Sequence, residues 1–224
     1  MDKNQKFVIT INRELGSGGR TVGRKLAEKL NVPYYDKLLI QSLQDKYKLS
    51  VEEIEKEKGN KHQWLNYLKN AFVAINQNKD ELWYYQMVNG ELGDMVTSED
   101  MFKVEQEILK EAAEEQSCIV AGRSGFYVFA NHPNHVSIMI QAPMEQRIER
   151  VMKKQGLNHE EAEKAIKNVD KMRENYVTKY TSTSRYDTRN YDLVIRADGK
   201  TEDEIVDLIL RYIGQKKTDS FAYL

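Results

Sequence analysis

Short apolar runs alternate along this chain with stretches whose apolar residues recur every three or four positions, the two periods that separate strands from helices. Residues 7–11, Phe-Val-Ile-Thr-Ile, read as a buried strand. Over 20–30 the residues Val22, Leu26 and Leu30 share one stripe and predict a helix. A short second strand fits 32–35, and three further strand candidates, rich in β-branched residues, lie at 118–121, 135–140 and 191–196. Helical patterns follow over 144–155, 158–176 and 202–213. Thr201 and Glu204 form a capping box before the last of these, and Gly214 is expected to stop it. Strands alternating with helices predict an α/β fold with a five-stranded, parallel, helix-covered sheet.

The middle of the chain breaks this rhythm. From 37 to 116 the pattern is helical without a convincing strand, which predicts an all-helical insertion over about 37–117 that walls or covers a ligand site. Ser50 with Glu53 makes another capping box, Trp64, Leu68, Phe72 and Ile75 form a stripe, and Met101, Glu105, Ile108 and Ala112 form a later one. Between Glu91 and Glu115 nine acidic residues face two basic ones at helix-surface spacing, which reads as a solvated face and not as metal ligands. Repeats and low-complexity segments are absent. The tail from 215 ends in Phe221-Ala222-Tyr223-Leu224, which either docks or frays.

Composition narrows the partners. A length of 224 residues suits one sizeable domain, and 34 basic against 35 acidic side chains leave no net charge to attract nucleic acid or a membrane surface. A phosphorylated ligand must therefore be met by a local cluster of cations. Cys118 is the single cysteine and sits in an apolar run, so it reads as a buried, inert thiol. His62, His132, His135 and His159 lack ligand spacing. The polar start at 1–6 lacks a signal-peptide pattern, and no apolar run approaches the roughly 18 residues of a membrane helix, so the cytoplasm is the expected compartment. Monomer and homodimer are equally compatible with the sequence.

The chemistry concentrates after the first strand, in Asn12-Arg13-Glu14-Leu15-Gly16-Ser17-Gly18-Gly19-Arg20-Thr21-Val22-Gly23. Glycines let such a loop turn its N–H groups inward, and the following helix adds its positive end. The P-loop motif G-x-x-x-x-G-K-[ST] is the nearest pattern. Aligning Gly19-Arg20-Thr21 with G-K-[ST] puts Glu14 at the first glycine and Arg20 at the lysine. Arginine keeps the charge as a wide fork instead of a point. A plain glycine-rich turn is one alternative; a dinucleotide loop is another, though Thr21 stands where its third glycine would be.

These residues, with Tyr34-Tyr35-Asp36-Lys37, Ile119-Val120-Ala121-Gly122-Arg123, the segment 142–152, Asp170-Lys171-Met172-Arg173 and Asn190-Tyr191-Asp192-Leu193-Val194-Ile195, occur in the order seen in the cytidylate kinase-like family, which this chain resembles from residue 7 to about 213. The chain departs from cytidylate kinases proper at Lys37 and Ser42, where they carry a small polar residue and an arginine, and at Arg196-Ala197, where many carry Asn-Thr. Phosphate handling thus carries over better than cytosine recognition.

The resemblance implies one P-loop kinase-type domain over 1–224, with helices on both sheet faces and a helical lid at about 156–190. It implies ATP and Mg2+ as cofactors and small nucleotides as substrates, with CMP or dCMP the favoured acceptor. On this reading Gly16, Ser17, Gly18, Gly19, Arg20 and Thr21 hold the donor triphosphate, and Thr21 and Asp36 serve the metal. Arg123 pairs with the acceptor phosphate, Arg173 and Arg147 cover the transferring phosphoryl, and Asp170 orients an arginine or the acceptor sugar. Each has a plainer reading as a surface or helix ion pair. A kinase for another small metabolite, and a nucleotide-binding module without turnover, are the competing functions.

Overall fold

Continuously apolar strands need cover on both faces of their sheet. The computed structural model, which describes residues 1–36 and 99–215, supplies that cover. In chain order the elements are β1 (Val8–Arg13), α1 (Gly19–Leu30), β2 (Tyr34–Tyr35), α2 (Glu99–Glu115), β3 (Cys118–Ala121), α3 (Gly125–Val128), β4 (His135–Gln141), α4 (Met144–Gln155), α5 (His159–Thr181), a 3-10 turn (Thr188–Asn190), β5 (Leu193–Arg196) and α6 (Glu202–Gln215). The five strands pair in parallel in the order β2-β3-β1-β4-β5. Every residue of β1 is buried, as its central place requires. On one face Ile9, Ile11 and Ile138 pack in a single core with Val22 and Leu26 of α1 and Ile205 and Ile209 of α6. On the other, α3 approaches so closely that a Cβ on Gly125 would lie 2.9 Å from Thr10 Cγ2. A separate core joins α4 and α5 through Ile148, Val151, Ala162 and Ile166, and it takes in Leu15 of the loop after β1.

The expected five-stranded parallel sheet with helices on both faces is present, and the differences lie at element ends. Strand β2 is shorter than 32–35 because Pro33 has no N–H and Val32 N–H donates to Ala27 O, closing α1. Strand β5 starts at Leu193, not 191, because Asp192 turns its carboxylate to the Ser137 amide, 2.9 Å away, while the Tyr191 N–H closes the 3-10 turn onto Thr188 O. Gly214 does not stop α6, which runs on to Gln215; a Cβ on it would meet nothing within 4 Å, so no close contact calls for a glycine there. The Thr201–Glu204 capping box is present, Thr201 N–H donating to Glu204 at 2.7 Å and Glu204 N–H returning to Thr201 Oγ1 at 3.3 Å. Helix α3 has no period long enough to be foreseen.

Within the helical middle stretch, α2 buries Glu105, Ile108 and Ala112. Glu105 therefore leaves the solvated acidic face expected for 91–115. The Ser50–Glu53 box, the stripe from Trp64 to Ile75, Ser42 and the tail at 221–224 lie outside the described residues.

Helix α5 opens with a box the sequence pattern did not single out. Asn158 Oδ1 accepts from Glu161 N–H at 3.0 Å, and Glu161 accepts from Asn158 N–H at 2.9 Å. Replacing Asn158 with Ala should cost about 0.5–2 kcal/mol in urea unfolding, the usual loss for such a cap, with Asn158→Asp close to neutral.

Candidate active site

The loop between β1 and α1 is built by short contacts that only small residues allow. Gly16 and Gly18 adopt left-handed conformations, φ 81° and 82°, which any side chain would strain. A Cβ on Gly16 would lie 2.7 Å from the Arg147 carbonyl oxygen, so α4 presses directly on the loop. Ser17 braces it from within, its hydroxyl donating to Glu14 O at 2.9 Å. Glu14 turns its carboxylate out of the loop: one oxygen accepts from Ala142 N–H at 3.1 Å and the other lies 3.4 Å from Arg147. Among the described residues the amides of Gly16, Gly18 and Thr21 have no hydrogen-bond partner. Unpaired donors at a helix start suit an anion.

Above this loop lies an open depression. Arg13, Arg20, Arg150, Lys154 and Arg173 line it, and Glu14, its carboxylate turned aside, is the single acidic residue in the lining. Of the residues expected to hold a donor, Gly16, Gly18, Gly19, Arg20 and Thr21 line it, while Ser17 is buried beneath. The Arg20 guanidinium lies 3.1 Å from Asp36, whose carboxylate is itself buried.

Beneath the loop a carboxylate gathers the arginines. Asp170 on α5 accepts from Leu15 N–H at 3.1 Å, pairs with Arg147 and lies 3.4 Å from Arg185 and 3.6 Å from Arg173. Arg147 also donates to Leu15 O at 2.8 Å, and Arg173 to Arg13 O at 3.1 Å. Arg147, expected on the lid side, thus sits under the loop as a strut. Arg185 is fully buried and donates to Asn12 Oδ1 at 3.1 Å. Asn12 in turn donates to Tyr191 Oη at 2.6 Å, and Tyr191 Oη donates to Arg185 O at 2.6 Å. Burial raises the Tyr191 hydroxyl to about 12, so it stays a neutral donor across ordinary pH.

Arg123 stands apart from the depression. Gly122, Arg123 and Ser124 are all left-handed, a turn that carries the arginine off the end of β3. Its guanidinium pairs with Glu105 of α2 and lies 4.5 Å above the Tyr176 ring, while Tyr176 Oη donates to Glu105 at 2.6 Å. Burial raises the Tyr176 hydroxyl, and the Arg123 charge partly opposes that rise. Two left-handed non-glycine residues in a row cost free energy and mark a turn held for a purpose.

The sequence reading assigned no site role to Arg13, Glu105, Arg150 or Arg185. For Glu105 the helical stripe was a usable signal, since a carboxylate on an apolar face needs a cation. For Arg185, in a loop 15 residues past Asp170, no local pattern carries the information. Among the described residues no group of three or more His, Cys, Asp or Glu side chains is placed to hold a metal. Thr21 offers one hydroxyl at the depression and Asp36 is committed to Arg20, a set that fits Mg2+ held mainly by phosphate and water oxygens.

A profile described as the cytidylate kinase-like family matches residues 8–198. A cytidylate kinase of Methanopyrus kandleri is 26% identical over 214 residues, covering 90% of each chain. The crystal structure of an uncharacterized protein from Eubacterium ventriosum superposes with a TM-score of 0.65 at 24% identity, covering 94% of this chain and 99% of that one. A gluconokinase from Sinorhizobium meliloti shares the fold at a TM-score of 0.50 and 13% identity, covering 94% and 93%. With the profile spanning most of its length, this chain belongs to the cytidylate kinase-like family.

Proposed function

We propose that this chain is an ATP-dependent phosphotransferase whose acceptor is a nucleoside monophosphate, CMP or dCMP. The observation that carries the reading is the depression over the loop, where partnerless amides of Gly16, Gly18 and Thr21 meet five cationic side chains. Membership in the cytidylate kinase-like family supports phosphoryl transfer, and the name of the Methanopyrus relative supports cytidylate as acceptor.

Transfer between phosphates asks for little covalent chemistry. It needs two phosphates in line, positive charge spread over the moving group, and exclusion of water. On this reading the amides of 16–21 and Arg20 hold the donor. Arg123 pairs with the acceptor phosphate, its fork oriented beforehand by Glu105 and Tyr176. Arg173, at the rim of the depression, covers the transferring phosphoryl, and Asp170 keeps Arg173 and Arg147 aimed. Thr21, with Asp36 through water, would hold Mg2+, which supplies charge neutralisation between donor oxygens. Small nucleotides, and not nucleic acid or membrane, are the partners that near-balanced charge favours. No helix among the described residues is long and apolar enough to cross a membrane, and the cytoplasm is the compartment we assign.

A coupled ADP-release assay over a panel of monophosphates tests this directly. Turnover with CMP or dCMP is the expected result. Turnover only with another acceptor would move the specificity, and ATP binding without turnover would make the protein a sensor. Arg173→Ala should lower kcat by about a hundredfold or more, the loss typical of removing one charge-stabilising donor. Asp170→Ala should cost about 3–5 kcal/mol in denaturant unfolding, because it strands the buried cations of Arg147 and Arg185.

A further inference from the structure

Arg13 stands at the loop without any of the expected roles. It closes β1, is 7% exposed, and lines the depression. The other arginines that line or support the site are matched to carboxylates: Arg20 to Asp36, Arg123 to Glu105, Arg150 to Glu202, and Arg147, Arg173 and Arg185 to Asp170. Among the described residues no hydrogen bond or ion pair joins the Arg13 guanidinium to any partner, and its buried Nε lacks an acceptor. An arginine cannot shed its proton to escape such a place. A largely buried charge without a protein partner is costly, and an anion bound in the depression would offset that cost.

Two glycines make room for this side chain. A Cβ on Gly19 would lie 2.6 Å from Arg13 Cβ and 3.1 Å from its Cγ, and a Cβ on Gly122 would strike the Arg13 Nη1. Gly19 is the first residue of α1, preceded by Gly18 as a left-handed cap. Gly19 has ordinary helical backbone, so its missing side chain serves space and not conformation. Gly18 is therefore the glycine that the turn into the helix demands. Counting the motif G-x-x-x-x-G-K-[ST] from Gly18 puts Arg13 at the first glycine and Gly19 at the lysine. The side chains of positions 13 and 19 compete for one volume, and here the arginine fills it.

We infer that Arg13 is the phosphate-binding cation of this loop, entering from the strand in place of the lysine that ordinarily enters from the helix. The ligand it takes is the oligophosphate tail of the donor, and in that respect the inference rests on the phosphotransferase reading above. Arg13 lies at the carboxyl end of the central strand, the edge where open α/β sheets bind ligands. Its planar fork presents two parallel N–H donors to a phosphate, where a lysine acts as a point charge. Arg20, one turn into the helix and braced by Asp36, then flanks the tail.

The test is a reciprocal exchange, read as calorimetric binding of inorganic tripolyphosphate to the full chain, with thermal unfolding as the check on folding. Arg13→Met, which keeps the volume and removes the charge, should weaken binding by about 10- to 100-fold, the range for a hydrogen bond to a charged group. Its melting temperature should hold or rise, which a merely structural arginine would not allow. Gly19→Lys alone should bind poorly, because its side chain meets that of Arg13. Combining Arg13→Gly with Gly19→Lys should recover affinity to within about tenfold of the parent, taking the lysine contact as comparable in strength. Arg13→Met binding as the parent does, a double variant no better than Arg13→Met, or a parent that binds no tripolyphosphate would each overturn the inference. Normal tripolyphosphate binding with no turnover of any monophosphate would instead sink the kinase reading and leave Arg13 in its role.

Discussion

The carboxylate of Asp170 is the contact on which the site depends. From a buried position on α5 it takes the Leu15 amide and the guanidinium of Arg147, with Arg185 and Arg173 close by, and so ties the loop, α4, α5 and the segment before β5 to one point. Such a cluster is not chiefly a source of stability, since drawing each ion out of water costs several kcal/mol. Its effect is positional. Without it the loop after β1 would be a flexible glycine-rich turn; with it, Leu15 is fixed by both its N–H and its carbonyl, and Gly16 lies against the Arg147 backbone.

This support leaves the upper side of the loop to a ligand. Glutamate at position 14 would repel phosphate if it faced the depression, but the Ala142 amide and Arg147 draw its carboxylate away. The same division of labour recurs at Arg123, which is held by Glu105 and Tyr176 before any acceptor arrives. Nearly every cation here is oriented by a carboxylate behind it, so a bound phosphate would meet side chains whose rotamer entropy is already spent. Arg13 differs in having glycines, not carboxylates, as its surroundings.

Much of the fold was legible because strands buried on both faces leave a continuous apolar run and helices leave a period. The runs at 118–121 and 144–155 match β3 and α4 residue for residue. What failed were endings set by distant partners: β5 starts late because Asp192 is drawn to Ser137 on the neighbouring strand, and α5 runs to Thr181 where the pattern ended at 176. In the site, the glycines and Arg20, Thr21, Arg123 and Arg173 were visible as motif letters. The pairing that gives the arginines their directions was not, because Asp170 meets Leu15 across 155 residues and Arg185 meets Asn12 across 173.

By itself, then, the sequence determined the order of strands and helices, the position of a glycine-rich turn at a helix start, and the family. Local chemistry suffices for those: burial pattern, φ preference and motif spacing act over a few residues. Only the tertiary structure decided which cations face the depression and which are struts. It also decided that Gly18 is the left-handed residue before α1, and that a side chain at position 19 would meet that of Arg13. Charge direction and steric exclusion are properties of neighbours in space, and folding brings Asp170 to Leu15 across 155 residues and Arg185 to Asn12 across 173.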